Sequence, residues 1–299
     1  MLKITDLFCG MGGLSYGFAL NNFQVTGYDT EKASKQIFRK NNLGNVLVNN
    51  LSENDLTVDS DIIIGGPPCR PWSSVNVTKR KEEHPDYELI NSFFNTVTNS
   101  SPDAFLMENV PALANDSIYI DNIEKISKMY HTDNITVHYD HYGAATKRRR
   151  LITFGFKESE QKTWFKEKLL KYRRYPQTVG DRIKPYLDYG YGEFPDHIWP
   201  NFQTIHKYAD RYDTGKYGWY ILEMDQQAPS FGNVMKTYTL HPSRERVVSV
   251  REVMSIMGFP WWFTFPYDMG HTKKYQMVAD VVSPNFSLIC AHYMKELFT

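Results

Sequence analysis

Short apolar runs, each closed by glycine, proline or a polar cluster, alternate with stretches of helical period through the first half of this chain. Leu2–Phe8 alternates loosely into a strand. Gln24–Tyr28, Val46–Val48, the run after Asp61 that ends at Gly65-Gly66, Ala104–Met107, Ile135–Tyr139 and Leu151–Phe156 read as further strands. Between them, helical segments are expected over Leu14–Leu20, from Glu31, over Tyr87–Asn99, over Ile120–Tyr130 and over Lys157–Lys171. In the Tyr87 segment, Leu89, Ile90, Phe93, Phe94 and Val97 share one face, which predicts burial against a sheet. Strands alternating with helices predict an α/β fold.

The pattern then fades. Arg173–His241 is rich in Tyr, Trp, Gly, Pro and Asp with weak periodicity, and reads as an inserted small domain. Order returns at Arg246, where Ser249-Val-Arg-Glu252 has the spacing of a capping box and Gly258 ends the helix it opens. A last helix is expected over Asn285–Leu297. The expected organisation is therefore 1–172, an insertion at 173–241, and 242–299 completing the first domain.

Composition narrows the class. At 299 residues, the chain holds two domains or one large domain with an insertion. Charge is balanced, so binding to a polyanion would rest on local clusters. Three cysteines, distant and odd in number, argue against a disulfide framework or a zinc site and for a reducing compartment. No apolar run reaches membrane length, and Asp6 with its following glycines interrupts any signal-peptide core. The expected location is the cytoplasm, with no metal and no membrane.

Candidate chemistry gathers at predicted strand ends. Gly65-Gly66-Pro67-Pro68 stops a buried strand and stiffens the loop that presents Cys69 at the edge where open α/β sheets bind ligands. Cys69 reads equally as a nucleophile and as a small residue packed after a turn. Gly10-Met-Gly-Gly13 follows the first strand, where glycines let a ligand approach the backbone or simply make a tight turn. Asp29 ends the second strand and suits either a ribose or a helix cap. Glu108 emerges from a strand expected beside that of Cys69, and paired with a thiol it becomes an acid–base or orienting candidate. Lys147-Arg-Arg-Arg150 precedes a buried strand, either as a solvated cluster or as donors to a base or phosphate. Lys79-Arg-Lys81 lies in a polar stretch beyond Cys69.

In this order, the motifs resemble those of the C5-cytosine DNA methyltransferases, from Leu2 to the C-terminus with Arg173–His241 poorly covered. The segments that carry the resemblance are Asp6-Leu-Phe-Cys-Gly-Met-Gly-Gly13, Gly66-Pro-Pro-Cys69, Glu108-Asn-Val110, Lys147–Arg150 and Arg246–Val253 through Met257-Gly-Phe-Pro260. The resemblance implies a Rossmann-like methyltransferase sheet with helices on both faces and a small inserted target-recognition domain. It implies S-adenosylmethionine as cofactor, S-adenosylhomocysteine as product, double-stranded DNA as partner, and a monomer. It casts Cys69 as the nucleophile on cytosine C6, Glu108 at N3 and the exocyclic amine, and Arg148 at O2 with Arg150 beside it. It places Phe8, Cys9, Gly10, Met11, Gly13, Tyr28, Asp29, Thr30, Asn50, Leu51, Pro68, Leu89, Asp280 and Val281 around the cofactor.

This chain departs from the family pattern at three places. Thr146 stands where the family usually has Gln, Ala279-Asp280 where it has Gly-Asn, and Asn50 where a carboxylate usually faces the adenine amine. Asn50 still offers a carbonyl acceptor. The implied role is the modification half of a restriction–modification pair. Transfer to tRNA by the same chemistry, or a catalytically silent DNA-binding relative, are the alternatives.

Overall fold

The computed structural model describes residues 1–51, 56–73, 80–201, 209–214 and 219–299. Seven strands form one sheet: β1 (Lys3–Leu7), β2 (Gln24–Asp29), β3 (Asn45–Val48), β4 (Ile62–Gly65), β5 (Ala104–Asn109), β6 (His131–His138) and β7 (Arg149–Phe156). Their order is β3-β2-β1-β4-β5-β7-β6. β1 to β5 pair in parallel, with Leu7 opposite Gly65 and Gly65 opposite Met107, whereas β7 runs antiparallel to β5 with Glu108 opposite Ile152. The strand order reverses between β1 and β4, which opens a crevice at their C-terminal ends.

Two compact units divide the chain. The first comprises Met1–Val137, Arg149–Tyr172 and Phe286–Thr299, and the second His138–Arg148 with Arg173–Asn285. In the first, side chains alternate across the sheet. Leu7, Ile63, Phe105, Met107 and Leu151 point to one face and pack with α3 (Leu89–Ser100) and α4 (Ser117–Ile126). On the other face Asp6 accepts from Ser15 of α1 (Gly13–Leu20), and Phe154 and Phe156 pack on Phe165 of α5 (Ser159–Lys171). A further helix, α2 (Lys32–Lys40), buries Ile37 and Phe38. α4 starts three residues before the expected Ile120 because the Asp116 side chain caps it by accepting from Ile118 N–H.

The second unit is held by buried charges more than by sheet. Its helices are α6 (Val179–Ile183), α7 (Ala209–Thr214), α8 (Val234–Thr237), α9 (Val250–Met257) and α10 (His271–Asp280). The chain closes with α11 (Pro284–Phe298), most of which belongs to the first unit. The expected capping box opens α9: Ser249 and Glu252 bond reciprocally, and Gly258 ends the helix at φ 104°. Glu252 is fully buried and takes two guanidinium N–H groups of Arg246 at 2.7 and 2.8 Å. Arg251, also fully buried, donates to the carbonyls of Pro195, Pro260 and Phe263. This grouping differs from the expected insertion at 173–241. Residues 242–285 cluster with it, and only 286–299 return to the sheet.

Candidate active site

The nucleotide-type loop comes first in the chain. Phe8 leaves β1 at φ 61°, a left-handed conformation that strains a non-glycine residue and is common at functional sites. Gly10 follows at φ 52°, and a β-carbon there would meet nothing within 4 Å among the described residues. Gly10 N–H donates to Oδ2 of Asp29 at 2.7 Å, and Glu31 N–H donates to Oδ1 of the same carboxylate at 2.8 Å. Asp29 thus pins the Gly10 turn. The N-cap of α2 is Glu31, with no side-chain cap, so Asp29 does not cap that helix as one reading expected but closes a short turn on Glu31 N–H. Cys9 N–H donates to Tyr28 at 3.1 Å, and Gly12 N–H to Cys9 at 2.8 Å. Burial pushes the Cys9 thiol well up, with Asp6 and Asp29 adding to the effect. Met11, Gly13 and Leu51 are buried, Tyr28 and Asn50 half-buried, and Thr30 exposed.

Open space over Gly10, bounded by a fixed acceptor on Asp29, suits a ligand with a ribose and an extended backbone contact. The residues present therefore fit a nucleoside-bearing cofactor. Half-buried Pro68 and Leu89 lie in the same compact unit.

The second group is built at the C-terminal ends of β4 and β5. Gly66 N–H donates to Leu7 at 3.2 Å, and the Asn109 side chain donates to Pro67 at 3.0 Å, so both sides of the Pro67-Pro68 loop are tied down. Cys69 follows and is half-buried, in contrast to Cys9 and Cys290. Its carbonyl accepts Trp72 N–H at 3.1 Å, which closes a single turn, Arg70–Trp72. Glu108 lies against this loop, since a β-carbon on Gly66 would sit 3.4 Å from its Oε2. Because β7 is antiparallel, its start meets the end of β5, and Nε of Arg150 reaches Oε1 of Glu108 at 2.6 Å. Arg150 also donates to the Arg149 carbonyl.

Arg148 is placed differently. It belongs to the second unit, is buried, and donates from Nη1 to the carbonyls of Ala279 at 2.7 Å and Phe231 at 3.5 Å. The arginine on Glu108 is therefore Arg150, the one that the resemblance placed beside Arg148. The reason is pairing geometry, which spacing does not reveal. In the same unit Thr146 is buried and donates to Pro229 at 3.0 Å. Asp280 accepts from Gln276 one helical turn earlier at 2.7 Å and is exposed, and Val281 is buried. Sequence reasoning missed Asn109 as the clamp on Pro67, although its place directly after Glu108 was the available signal. Of the Lys79–Lys81 cluster, Lys79 lies outside the described residues.

A seven-stranded sheet whose order reverses beside a glycine turn is a Rossmann-like α/β fold of the methyltransferase type. The chain belongs to the C-5 cytosine-specific DNA methylase family, whose model matches residues 2–296. It is 25% identical to the type II methyltransferase M.FnuDI of Fusobacterium nucleatum, over 100% of this chain and 95% of that protein. To the type II methylase M.HgiDII of Herpetosiphon aurantiacus it is 26% identical, over 88% and 85%. Its fold is similar to that of an E. coli prophage protein described as a DNA modification methyltransferase, with a TM-score of 0.75 at 20% identity, covering 100% and 99% of the two chains. Among the described residues, no helix is long and apolar enough to cross a membrane.

Proposed function

We propose that this protein methylates C5 of a cytosine flipped out of a specific duplex DNA sequence, as the modification enzyme of a restriction–modification pair. The observation that carries the reading is the buried Glu108–Arg150 pair set against the loop that presents Cys69. Family membership and the type II relatives support the DNA substrate.

Cytosine C5 is a poor nucleophile, and its ring is out of reach within a duplex, so the base is flipped. The Cys69 thiolate adds to C6, forming a C–S bond and shifting the C5–C6 electron pair toward C5 and the ring. Glu108 holds N3 and the exocyclic amine, and we assign the donor at O2 to Arg150. A proton shared between Glu108 and N3, with the guanidinium at O2, offsets the charge that addition drives onto the ring. Phe8, Gly10, Met11, Gly13, Asp29, Asn50, Leu51, Pro68 and Leu89 would hold S-adenosylmethionine, which would supply the electrophilic methyl group. Loss of the C5 proton to a base then restores the double bond as the thiolate leaves. Tyr, Trp and Arg side chains of 173–241 suit base and phosphate recognition.

The test is transfer of label from tritiated S-adenosylmethionine, offered duplex DNA and tRNA separately. Label on cytosine C5 of DNA, lost in Cys69→Ala, is the expected result. Label on tRNA alone would overturn the choice of substrate, and transfer surviving Cys69→Ala would overturn the mechanism.

A further inference from the structure

Four elements of the first unit meet at one carboxyl that the chemistry above does not use. Oδ1 of Asp116 accepts the Tyr87 hydroxyl at 2.7 Å as well as Ile118 N–H at 3.2 Å. Its Oδ2 lies 3.5 Å from Nζ of Lys81, which reaches it from a left-handed backbone at φ 50°. Tyr87 packs on Trp72 with ring centroids 5.5 Å apart. The Trp72 indole N–H makes no full hydrogen bond of its own and adds a favourable field at the carboxylate. Burial pushes Asp116 up, but donation from Tyr87 and Ile118 N–H, with the nearby Trp72 indole N–H and the Lys81 charge, outweighs it. The group lies below the ordinary carboxylate range. A charge at 2% exposure is held by these partners and by little water.

A cap for α4 would need only the Ile118 N–H. The remaining partners belong to the segment that leaves Cys69. Trp72 N–H closes the turn on the Cys69 carbonyl, Lys81 stands further along, and Tyr87 directly precedes α3. Asn109 fixes the entry to that turn through Pro67, and Lys81 and Tyr87 follow its exit in the chain. We propose that Asp116 is the positioning residue of the Cys69 turn, holding its exit through Tyr87, Trp72 and Lys81 so that the thiol keeps one orientation toward the base. The proposal rests on the reading of Cys69 as nucleophile. A thiol displaced by even about 1 Å loses roughly a hundredfold in reactivity toward a bound partner.

The experiment uses the full chain with three readouts. They are iodoacetamide alkylation of Cys69 by peptide mass, single-turnover transfer from tritiated S-adenosylmethionine to unmethylated genomic DNA, and S-adenosylhomocysteine binding by calorimetry. Tyr87→Phe removes one hydroxyl, and Asp116→Ala removes the acceptor. Each is expected to slow transfer about tenfold or more and to change the Cys69 alkylation rate about threefold. Cofactor-product affinity should stay within about twofold, and the double variant should be no worse than Asp116→Ala. Asp116→Asn, which keeps an acceptor for Tyr87, should fall between wild type and Asp116→Ala. Tyr87→Phe matching wild type in both rate and alkylation would overturn the proposal. So would a loss of product binding that parallels the loss of transfer. If Asp116→Ala does not fold, Tyr87→Phe decides. Wild type that transfers no label to DNA defeats the functional reading instead, and alkylation then decides the positioning role alone.

Discussion

Nε of Arg150 lies 2.6 Å from Oε1 of Glu108, and each side chain is more than nine-tenths buried. The contact exists because β7 enters the sheet antiparallel, bringing its first residues to the edge where β5 ends. A paired, buried carboxylate can face a base without carrying an uncompensated charge.

Arg150→Ala removes the guanidinium that lies 2.6 Å from the buried Glu108 carboxylate. It is expected to destabilise the first unit by roughly 3 kcal/mol and to reduce methyl transfer about a hundredfold or more. Glu108→Gln with Arg150 intact should reduce transfer similarly at a smaller stability cost. Arg148→Ala should instead act through the second unit, since its guanidinium holds the Ala279 carbonyl. Urea denaturation and single-turnover transfer on the three variants separate these outcomes.

Cys69 is the partly exposed thiol, whereas burial pushes Cys9 and Cys290 well above the ordinary range. Native alkylation at neutral pH should therefore modify Cys69 alone, and extend to all three cysteines only in denaturant. Peptide mass mapping checks this. DNA carrying 5-fluorocytosine at the recognised site should form a covalent complex with wild type and none with Cys69→Ala.

The central strands were legible as apolar runs stopped by glycine or a polar pair, as Ile62–Gly65 shows, whereas β6 opens on the polar His131-Thr-Asp-Asn134, before the expected Ile135. α10 was not anticipated. Its inner face carries Lys274, buried on Asp196 at 2.8 Å, so a charge stands where the helical pattern needs an apolar residue. Cys69 and Glu108 could be placed at one edge from strand order alone. Which arginine meets Glu108 depends on the direction and register of β7, and the run Lys147–Arg150 encodes neither.

Asp6 faces α1 from β1, and burial raises its carboxyl to about 7, with Asp29 adding to the rise against the Ser15 hydrogen bond. The folded state thus binds its proton more tightly than the unfolded chain, whose value is near 3.8. Stability from this group is complete below about 4 and is lost as pH rises through about 7, up to roughly 4 kcal/mol by linkage. Asp6→Asn, neutral throughout, should match wild type near pH 4 and melt at higher temperature near pH 8. Melting curves at half-unit pH steps measure the difference.

His241 gives the opposite slope in the second unit. Burial lowers it from 6.5 to about 4, Glu252 opposes that, and Arg246 and His197 add to it. Between those values the unfolded chain takes up the proton and the folded chain does not, so stability falls as pH drops from about 6.5 to about 4, by up to roughly 3 kcal/mol. His241→Gln should flatten that acid-side loss, read by urea unfolding followed at the buried Trp219 of the same unit.

Gly10 offers a direct check of the cofactor assignment. Its φ of 52° costs an alanine about 1 kcal/mol, while no atom of the described residues lies within 4 Å of its β-carbon to add a packing clash. Gly10→Ala should therefore fold, melting only a few degrees lower by the usual relation for a chain of this size. A methyl group there stands in the space assigned to S-adenosylmethionine, next to the N–H that Asp29 holds. Affinity for S-adenosylhomocysteine, measured by calorimetry without any turnover, should fall about tenfold or more. Gly10→Ala that binds as tightly as wild type would move the cofactor away from this turn, leaving the Cys69 edge to be assigned without it.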